Sequence, residues 1–405
     1  MKITTMVLAG GKGERLYPLT RDRAKPAVPF AALYRIIDFT LSNCINSNLR
    51  QIYVLTQYKS LSLDRHIQMG WNILNSKAGE YIQILTAQQR IFEEWYRGTA
   101  DAVFQNIYTL DMDRPELVVI LSGDHVYKMD YRKLVQFHLE KGADLTVSAI
   151  EMDKSESPHF GVIVVDEDWV IKGFQEKPPA SRAIPLPGNP DRILGSMGVY
   201  VFNTEILVKR LIEDAKDGKS AHDFGKNIIP RMVRRKDRVY AYSFKDPSTN
   251  QPLYWRDVGT IQAYWEAHMD LLSPDCPFEL FDRGWPIITY DQAYPPAKIL
   301  CDSSSGNEGI YQSIISNGCV IQGGSIVRSV FSPGVTVEPG ARIEESILLD
   351  EVHIGRDCRI RKVILEKRVS LPNGFSVGYD DDPTREGFTQ DPSGIIVIPV
   401  RTFFK

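Results

Sequence analysis

From about residue 310, aliphatic residues recur every six positions, and this period restricts the fold more than any other feature of the chain. Ile314, Val320 and Ile326 are six apart, as are Val337, Ile343 and Leu349. The spacing returns in Ile354 and Ile360, and again in Leu365, Leu371 and Val377. Gly318, Gly323, Gly334, Gly340, Gly355 and Gly374 punctuate the run. A six-residue period with small turn residues predicts a parallel β-helix. A small antiparallel sheet is the alternative, but the period survives several breaks in phase. Stacked short strands offer flat faces, so packing and assembly are the expected roles.

The first 270 residues read differently. Ile3 to Leu8, Ile52 to Thr56, Leu117 to Leu121, Leu145 to Ile150 and Val199 to Phe202 are aliphatic or β-branched runs bounded by turn residues. Asp130 to Gly142, Asn203 to Ala215 and Ala100 to Leu110 read as helices. Alternating strand and helix predicts an α/β domain with a mainly parallel sheet covered on both faces. Ligands of such sheets sit at the carboxyl ends of strands, and the motifs below are expected there. Residues 273–300 are rich in proline and aromatics but poor in Gly and Ser, which predicts an ordered linker. The expected organisation is therefore 1–272, a linker 273–300, and a β-helix 301–405.

A length of 405 residues exceeds a usual single domain, in keeping with that division. A net charge of −3 gives no electrostatic case for nucleic acid or an anionic membrane. The apolar run at Ile3 to Leu8 is too short for a signal peptide, and no stretch approaches a membrane span. The five cysteines (Cys44, Cys276, Cys301, Cys319, Cys358) show neither metal spacing nor a disulfide framework, so a reducing cytoplasm is expected.

Five motifs carry candidate chemistry. Leu8-Ala9-Gly10-Gly11-Lys12-Gly13-Glu14-Arg15 follows the first strand, with Lys25-Pro26 downstream. Three glycines in four positions let backbone N–H groups approach a phosphate, and Lys12, Arg15 and Lys25 add positive charge. The string is neither a P-loop nor a dinucleotide fingerprint. Asp124, in Ser122-Gly123-Asp124-His125, stands past the strand ending at Leu121, as a magnesium ligand or a helix N-cap. Asp257, in Trp255-Arg256-Asp257-Val258-Gly259-Thr260, offers a second metal carboxylate or caps the helix near Ile261. Glu176-Lys177-Pro178 pairs a carboxylate suited to sugar hydroxyls with a cation suited to a sugar phosphate, or is an exposed turn. In Trp95-Tyr96-Arg97-Gly98-Thr99, Gly98 and Thr99 open a helix that can approach a ligand. Tyr96 is placed to cover a base or ribose, and Trp95 reads as core.

Together, in this order, these strings resemble the sugar-nucleotide pyrophosphorylases, and most closely the bacterial glucose-1-phosphate adenylyltransferase family. Arg23-Ala24-Lys25-Pro26-Ala27-Val28, Arg35-Ile36-Ile37-Asp38-Phe39, Ser196-Met197-Gly198-Val199 and His222-Asp223-Phe224-Gly225-Lys226 add to the match. The resemblance implies a Rossmann-like nucleotidyltransferase domain followed by a left-handed parallel β-helix. It implies ATP plus α-D-glucose 1-phosphate giving ADP-glucose and pyrophosphate with Mg2+, the committed step of bacterial glycogen synthesis, in a cytoplasmic homotetramer. By position, Asp124 matches the catalytic aspartate and Asp257 its metal partner, with Arg15 and Lys25 on the triphosphate. Leu8, Ala9, Gly10, Gly11, Gly13, Gln88, Tyr96, Gly98 and Thr99 fall on the nucleotide side. Lys177, Glu176, Ser196, Asp223, Gly161 and Tyr96 fall on the glucose 1-phosphate side. Anionic allosteric effectors are expected at Arg21, Arg23 and Arg35. Asp22 stands where many relatives carry a basic residue, and Pro29 where some have a polar or basic side chain; a carboxylate disfavours a bound phosphate, so an altered or weakened response to sugar bisphosphates is expected. The competing readings are a sister specificity for another nucleotide and a non-catalytic regulatory subunit. Arg15, Lys25, Asp124, Lys177 and Asp257 are all present, which argues against the latter.

Overall fold

The structure is a computed structural model that describes residues 1–87, 95–300, 309–379 and 387–400. Its first part runs β1 (Ile3–Leu8), α1 (Ile36–Asn46), β2 (Gln51–Thr56), α2 (Leu61–Gly70), β3 (Tyr81–Thr86), α3 (Thr99–Gln105) and α4 (Ile107–Asp113). It continues β4 (Leu117–Ser122), β5 (His125–Tyr127), α5 (Tyr131–Glu140), β6 (Leu145–Asp153), β7 (Gly161–Val165) and β8 (Ile171–Glu176). β9 (Arg192–Asn203), α6 (Thr204–Ala215), α7 (Ile229–Arg234), β10 (Val239–Ser243), β11 (Trp255–Asp257) and α8 (Ile261–Asp270) complete it.

Nine strands form one sheet, with the path β8-β7-β9-β4-β1-β2-β3, with β6 paired to β9 and β10 paired to β6. β1 lies between β2 and β4, parallel to both, with Thr5 opposite Ile52 and Val119. Both faces of this half are covered, which explains its unbroken apolar runs. Met6 and Ile120 point into one core, Val7 and Leu121 into the other. Beyond β4 the sheet changes direction: β9 is antiparallel to β4, β6 and β7.

One expected helix is two. The pattern from Ala100 to Leu110 breaks at Asn106, whose side chain donates to Ala102 O and to Tyr96 Oη. An Asn that bonds the preceding turn competes with the helix ladder, so α3 stops and α4 restarts.

Within residues 273–300, the stretch 285–289 lies along the polar side of α1. Trp285 Nε1 donates to Asn43 Oδ1 at 2.9 Å, Ile288 N to Ser42 Oγ at 2.8 Å and Thr289 Oγ1 to Asp38 Oδ2 at 2.7 Å. Asp38 is fully buried and also meets His66 Nε2 and Trp71 Nε1. These bonds explain why a helix with so many polar residues is buried.

From Lys298 the chain coils into three sheets of two- and three-residue strands, parallel except for the edge strand Thr389–Gln390, which runs antiparallel to Ile396–Ile398. Val320 pairs with Thr336, Thr336 with His353 and His353 with Ser370. Ile326 pairs with Ile343, Ile343 with Ile360 and Ile360 with Val377. Stacked positions are thus about 17 residues apart, two spacings of six and one of five, where three full hexads would give 18. The lost residue corrects the expected inward column. Ile321 and Leu348 are buried in the coil rather than Val320 and Leu349, and Leu349 faces the first domain. One face of the coil is apolar on both sides, as the pairs Val330-Phe331, Ile347-Leu348 and Ile364-Leu365 record. Phe331, Leu348 and Leu365 fill the coil, while Val330, Ile347 and Ile364 join Leu16, Leu19, Phe30, Phe39 and Tyr264 in a core shared with the first domain.

Among the described residues no helix is long and apolar enough to cross a membrane.

His268 lies at this shared core. Its Nε2 accepts from Ala31 N at 3.1 Å, so the ring is neutral, with the Nδ1 proton directed at Tyr264 O, 2.8 Å away. Burial pushes its pKa down from 6.5 to about 4. The unfolded chain therefore binds the proton first, and stability falls as pH drops from about 6.5 towards about 4, by up to about 3 kcal/mol. In His268→Gln, the fall in melting temperature across that window is expected to be smaller than in the parent chain.

Candidate active site

The glycine loop leaves β1 at its carboxyl end, where Ala9 N donates to Leu55 O of the neighbouring strand at 2.9 Å. Gly13 has φ +63, in the left-handed region. A side chain there would also lie 3.0 Å from Thr20 Cγ2 and 3.1 Å from Lys25 Cβ. The glycine thus lets Lys25 come beneath the loop, where it is 6% exposed.

Gly123 N donates to Leu8 O at 3.0 Å and fixes the exit of β4, so Asp124 stands beside the loop. β5 pairs antiparallel with β11, and Asp257 lies opposite His125. Directly opposed residues are near neighbours in such a ribbon, which brings Asp257 beside His125 and so to the adjoining Asp124. Lys25 Nζ lies between them, 2.9 Å from Asp124 Oδ2 and 2.5 Å from Asp257 Oδ1. Burial alone would raise the Asp124 pKa, but Lys25 and then His125 hold it well below the usual carboxylate range. For Lys25, burial alone would lower the pKa, yet the two carboxylates raise it. The cap readings fail: Thr260, not Asp257, caps α8 by accepting from Ala263 N at 3.1 Å, and Asp124 leads into a strand. Asp124, His125 and Asp257 place ligand atoms within 4.8 Å of one another. Carboxylate oxygens already gathered around a cationic group fit a hard divalent cation.

Two lobes open from this point. One, about 530 Å³, is lined by Leu8, Gly10, Gly11, Gln57, Tyr58, Tyr96, Gly98 and Thr99. The other, about 560 Å³, is lined by Gly13, Arg15, Gly161, Glu176, Lys177, Ser196 and Asp257. Lys25, Asp124, Thr99 and Asp223 border both. Most residues expected from sequence are therefore brought together. Tyr96, expected on both sides, lines only the first lobe. Ala9 is buried and lines neither lobe. Gln88 lies outside the described residues. Trp95, expected in the core, is 53% exposed and stacks on Tyr58 with ring centroids 5.3 Å apart. Gln57 and Tyr58 were not among the expected residues. Their signal was position, since they follow β2 as the glycine loop follows the adjacent β1.

Four of the five motifs sit at a strand's carboxyl end as expected: the glycine loop and Asp124 follow β1 and β4, Glu176 ends β8, and Asp257 ends β11, while the Trp95–Thr99 stretch leads into α3. Of the other site residues, Gly161 begins β7. Ser196 lies inside β9, where the register with β6 shifts between Ser196 and Tyr200. The antiparallel half of the sheet makes this possible, because its strands meet the site at either end or at an irregularity.

On the second lobe, Lys177 has φ +47, uncommon for a side-chain-bearing residue, and its N–H donates to Phe160 O at 3.2 Å. Burial, then Asp223, pushes the Glu176 carboxyl above its ordinary pKa. Asp223 accepts from Thr99 Oγ1 at 2.9 Å and from Lys226 N at 3.0 Å. At Gly98 a Cβ would lie 2.4 Å from His222 O. Ala100 N and Asp101 N donate to that carbonyl, so the first turn of α3 is held against residue 222.

Arg21, Arg23 and Arg35 lie away from both lobes, at the junction with the β-helix. Arg21 Nη2 donates to Val400 O at 3.1 Å, and its Nε pairs with Asp22. Arg23 forms a buried ion pair with Glu366 of the β-helix at 2.9 Å. Arg35 Nη1 donates to Ser62 Oγ at 2.8 Å.

A glycine loop over a buried cation, with two carboxylates between two lobes, defines the site of a nucleotide-transferring protein. Residues 4–274 match the family described as nucleotidyl transferase, and residues 295–398 match GlmU-like, C-terminal hexapeptide repeats. That second match agrees with a left-handed coil. The chain is 48% identical to the glucose-1-phosphate adenylyltransferase of Koribacter versatilis, over 97% of this chain and 94% of that protein. It is 49% identical to the namesake from Rhodopirellula baltica, over 97% and 89%, and 45% to that from Methylococcus capsulatus, over 97% and 92%. The chain belongs to the glucose-1-phosphate adenylyltransferase family.

Proposed function

We propose that this chain transfers the adenylyl group of ATP to α-D-glucose 1-phosphate, forming ADP-glucose for glycogen synthesis and releasing pyrophosphate. The observation that carries the reading is the Lys25 ammonium wedged between Asp124 and Asp257 where the two lobes meet. A phosphate oxygen of the sugar phosphate attacks the α-phosphorus in line. The bond from that phosphorus to the bridging oxygen breaks, and pyrophosphate leaves with the electron pair. Gly10, Gly11 and Gly13 let backbone N–H groups approach the triphosphate. Arg15 and Lys25 neutralise charge growing on the departing pyrophosphate. Lys177 holds the sugar phosphate, and Glu176, Ser196 and Asp223 read its hydroxyls. Asp124 and Asp257 would hold Mg2+, which when bound supplies charge neutralisation and orients the phosphates. Tyr96 covers the base side of the first lobe.

The division into 1–272, 273–300 and 301–405 is part of this reading, as are a cytoplasmic location and a homotetramer assembled through the β-helix. Arg21, Arg23 and Arg35 form a basic junction for anionic effectors. The pairing of Arg21 with Asp22 and of Arg23 with Glu366 supports a weak response, because internal carboxylates compete with a phosphate for those cations.

Pyrophosphate release from glucose 1-phosphate, compared across ATP, GTP, UTP and dTTP with Mg2+, tests the activity. Turnover with ATP alone is expected, and Asp124→Asn is expected to lower kcat by about a thousandfold. Turnover with another triphosphate would move the chain to a sister specificity. No turnover with any would favour a regulatory subunit. Titration with fructose 1,6-bisphosphate is expected to change the rate less than about fivefold, below the usual range of allosteric coupling. Strong stimulation would sink the weakened-effector reading.

A further inference from the structure

Two glycines press on the carboxylate of Glu176, and they do so differently. At Gly161 an added Cβ would lie 2.4 Å from the Phe174 ring and 3.2 Å from Glu176 Oε2. Phe174 packs against the main core of the first domain, so that obstacle cannot retreat without disturbing the fold. At Gly225 an added Cβ would lie 2.5 Å from Glu176 Oε2 and 3.4 Å from Asp223 Oδ1. Here the obstacle is the far end of a flexible side chain. The backbone of Gly225 is not in the left-handed region, so a side chain meets no conformational strain.

The segment carrying Gly225 is anchored. Phe224–Ile228 forms a π-helical turn, a feature that concentrates at functional sites. Asp223 caps it by accepting from Lys226 N, and Thr99 ties it to α3 by donating to Asp223 Oδ2 and accepting from Phe224 N at 3.0 Å. A group added at residue 225 therefore displaces the Glu176 carboxylate rather than the turn.

We propose that Gly225 positions the sugar-reading carboxylate: its missing side chain reserves the space from which the Glu176 carboxylate reads the hydroxyls of a hexose 1-phosphate. The inference rests on the proposed reading that Glu176 lies on the sugar side. Gly225 is a positioning residue, acting through Glu176. It explains why a glycine is present at a position whose backbone does not require one.

The test compares Gly225→Ala, Glu176→Asp, the double variant and Gly218→Ala with the parent enzyme. Gly218 has open space around it, and that variant is the control for a glycine lost at the surface. Gly225→Ala is expected to raise KM for glucose 1-phosphate about tenfold or more, with KM for ATP and the melting temperature unchanged. Glu176→Asp alone is expected to raise KM as well, because the carboxylate is withdrawn by one methylene. In the double variant the shorter side chain relieves the contact, so the two effects combine to less than their product. An unchanged KM in Gly225→Ala, or effects that multiply in the double variant, would overturn the proposal. So would a lower melting temperature with both KM values raised, which would assign Gly225 to folding alone. Failure of the adenylyltransferase reading looks different: the parent enzyme itself would not turn over ATP with glucose 1-phosphate.

Discussion

The ammonium of Lys25 between Asp124 and Asp257 is the contact on which the rest of the site depends. Three segments far apart in the chain meet there, and each alone would leave a charge partly or wholly removed from water. Removing the lysine would press two carboxylates together without compensation, whereas its ammonium offsets one of their two negative charges. The surrounding backbone serves this contact. Gly13 leaves room for the Lys25 stem, Gly123 turns Asp124 out of β4, and the β5–β11 ribbon delivers Asp257. A local group of opposed charges is also a natural place to receive a cation and a polyphosphate, since both kinds of partner are already represented.

The β-helix is more than an appended scaffold. Its outward-facing Val330, Ile347 and Ile364 complete a core with Leu16 and Leu19, which follow the glycine loop directly. Glu366 reaches from the coil to Arg23, two residues before Lys25. The segment that carries the buried ammonium is thus tied to the coil through Arg23.

Much of this is legible in the sequence. β1, β4 and the helices α5, α6 and α8 lie where the apolar runs and their bounding residues put them. The charged residues Arg15, Lys25, Asp124, Glu176, Lys177 and Asp257 fall around one pair of lobes. What escaped has physical causes. The inward column of the coil slipped by one residue at Ile321 and Leu348 because a coil of about 17 residues loses phase with a strict period of six. Trp95 read as core by its composition but stacks on Tyr58 at the surface of a lobe. Asn106 divided a helix through a side-chain bond that no periodicity records.

Local pattern determined what depends on near neighbours: a buried strand feeding a glycine loop, an α/β alternation, a hexad repeat, and the types of charge available for chemistry. Those features follow from side-chain period and backbone freedom over a few residues. Tertiary structure alone decided which charges meet, that Tyr96 serves one lobe rather than two, that the three arginines face the β-helix, and that Gly225 abuts Glu176. These outcomes rest on contacts between segments tens to hundreds of residues apart. Only the packing of the sheet, the ribbon and the coil brings those segments within bonding distance.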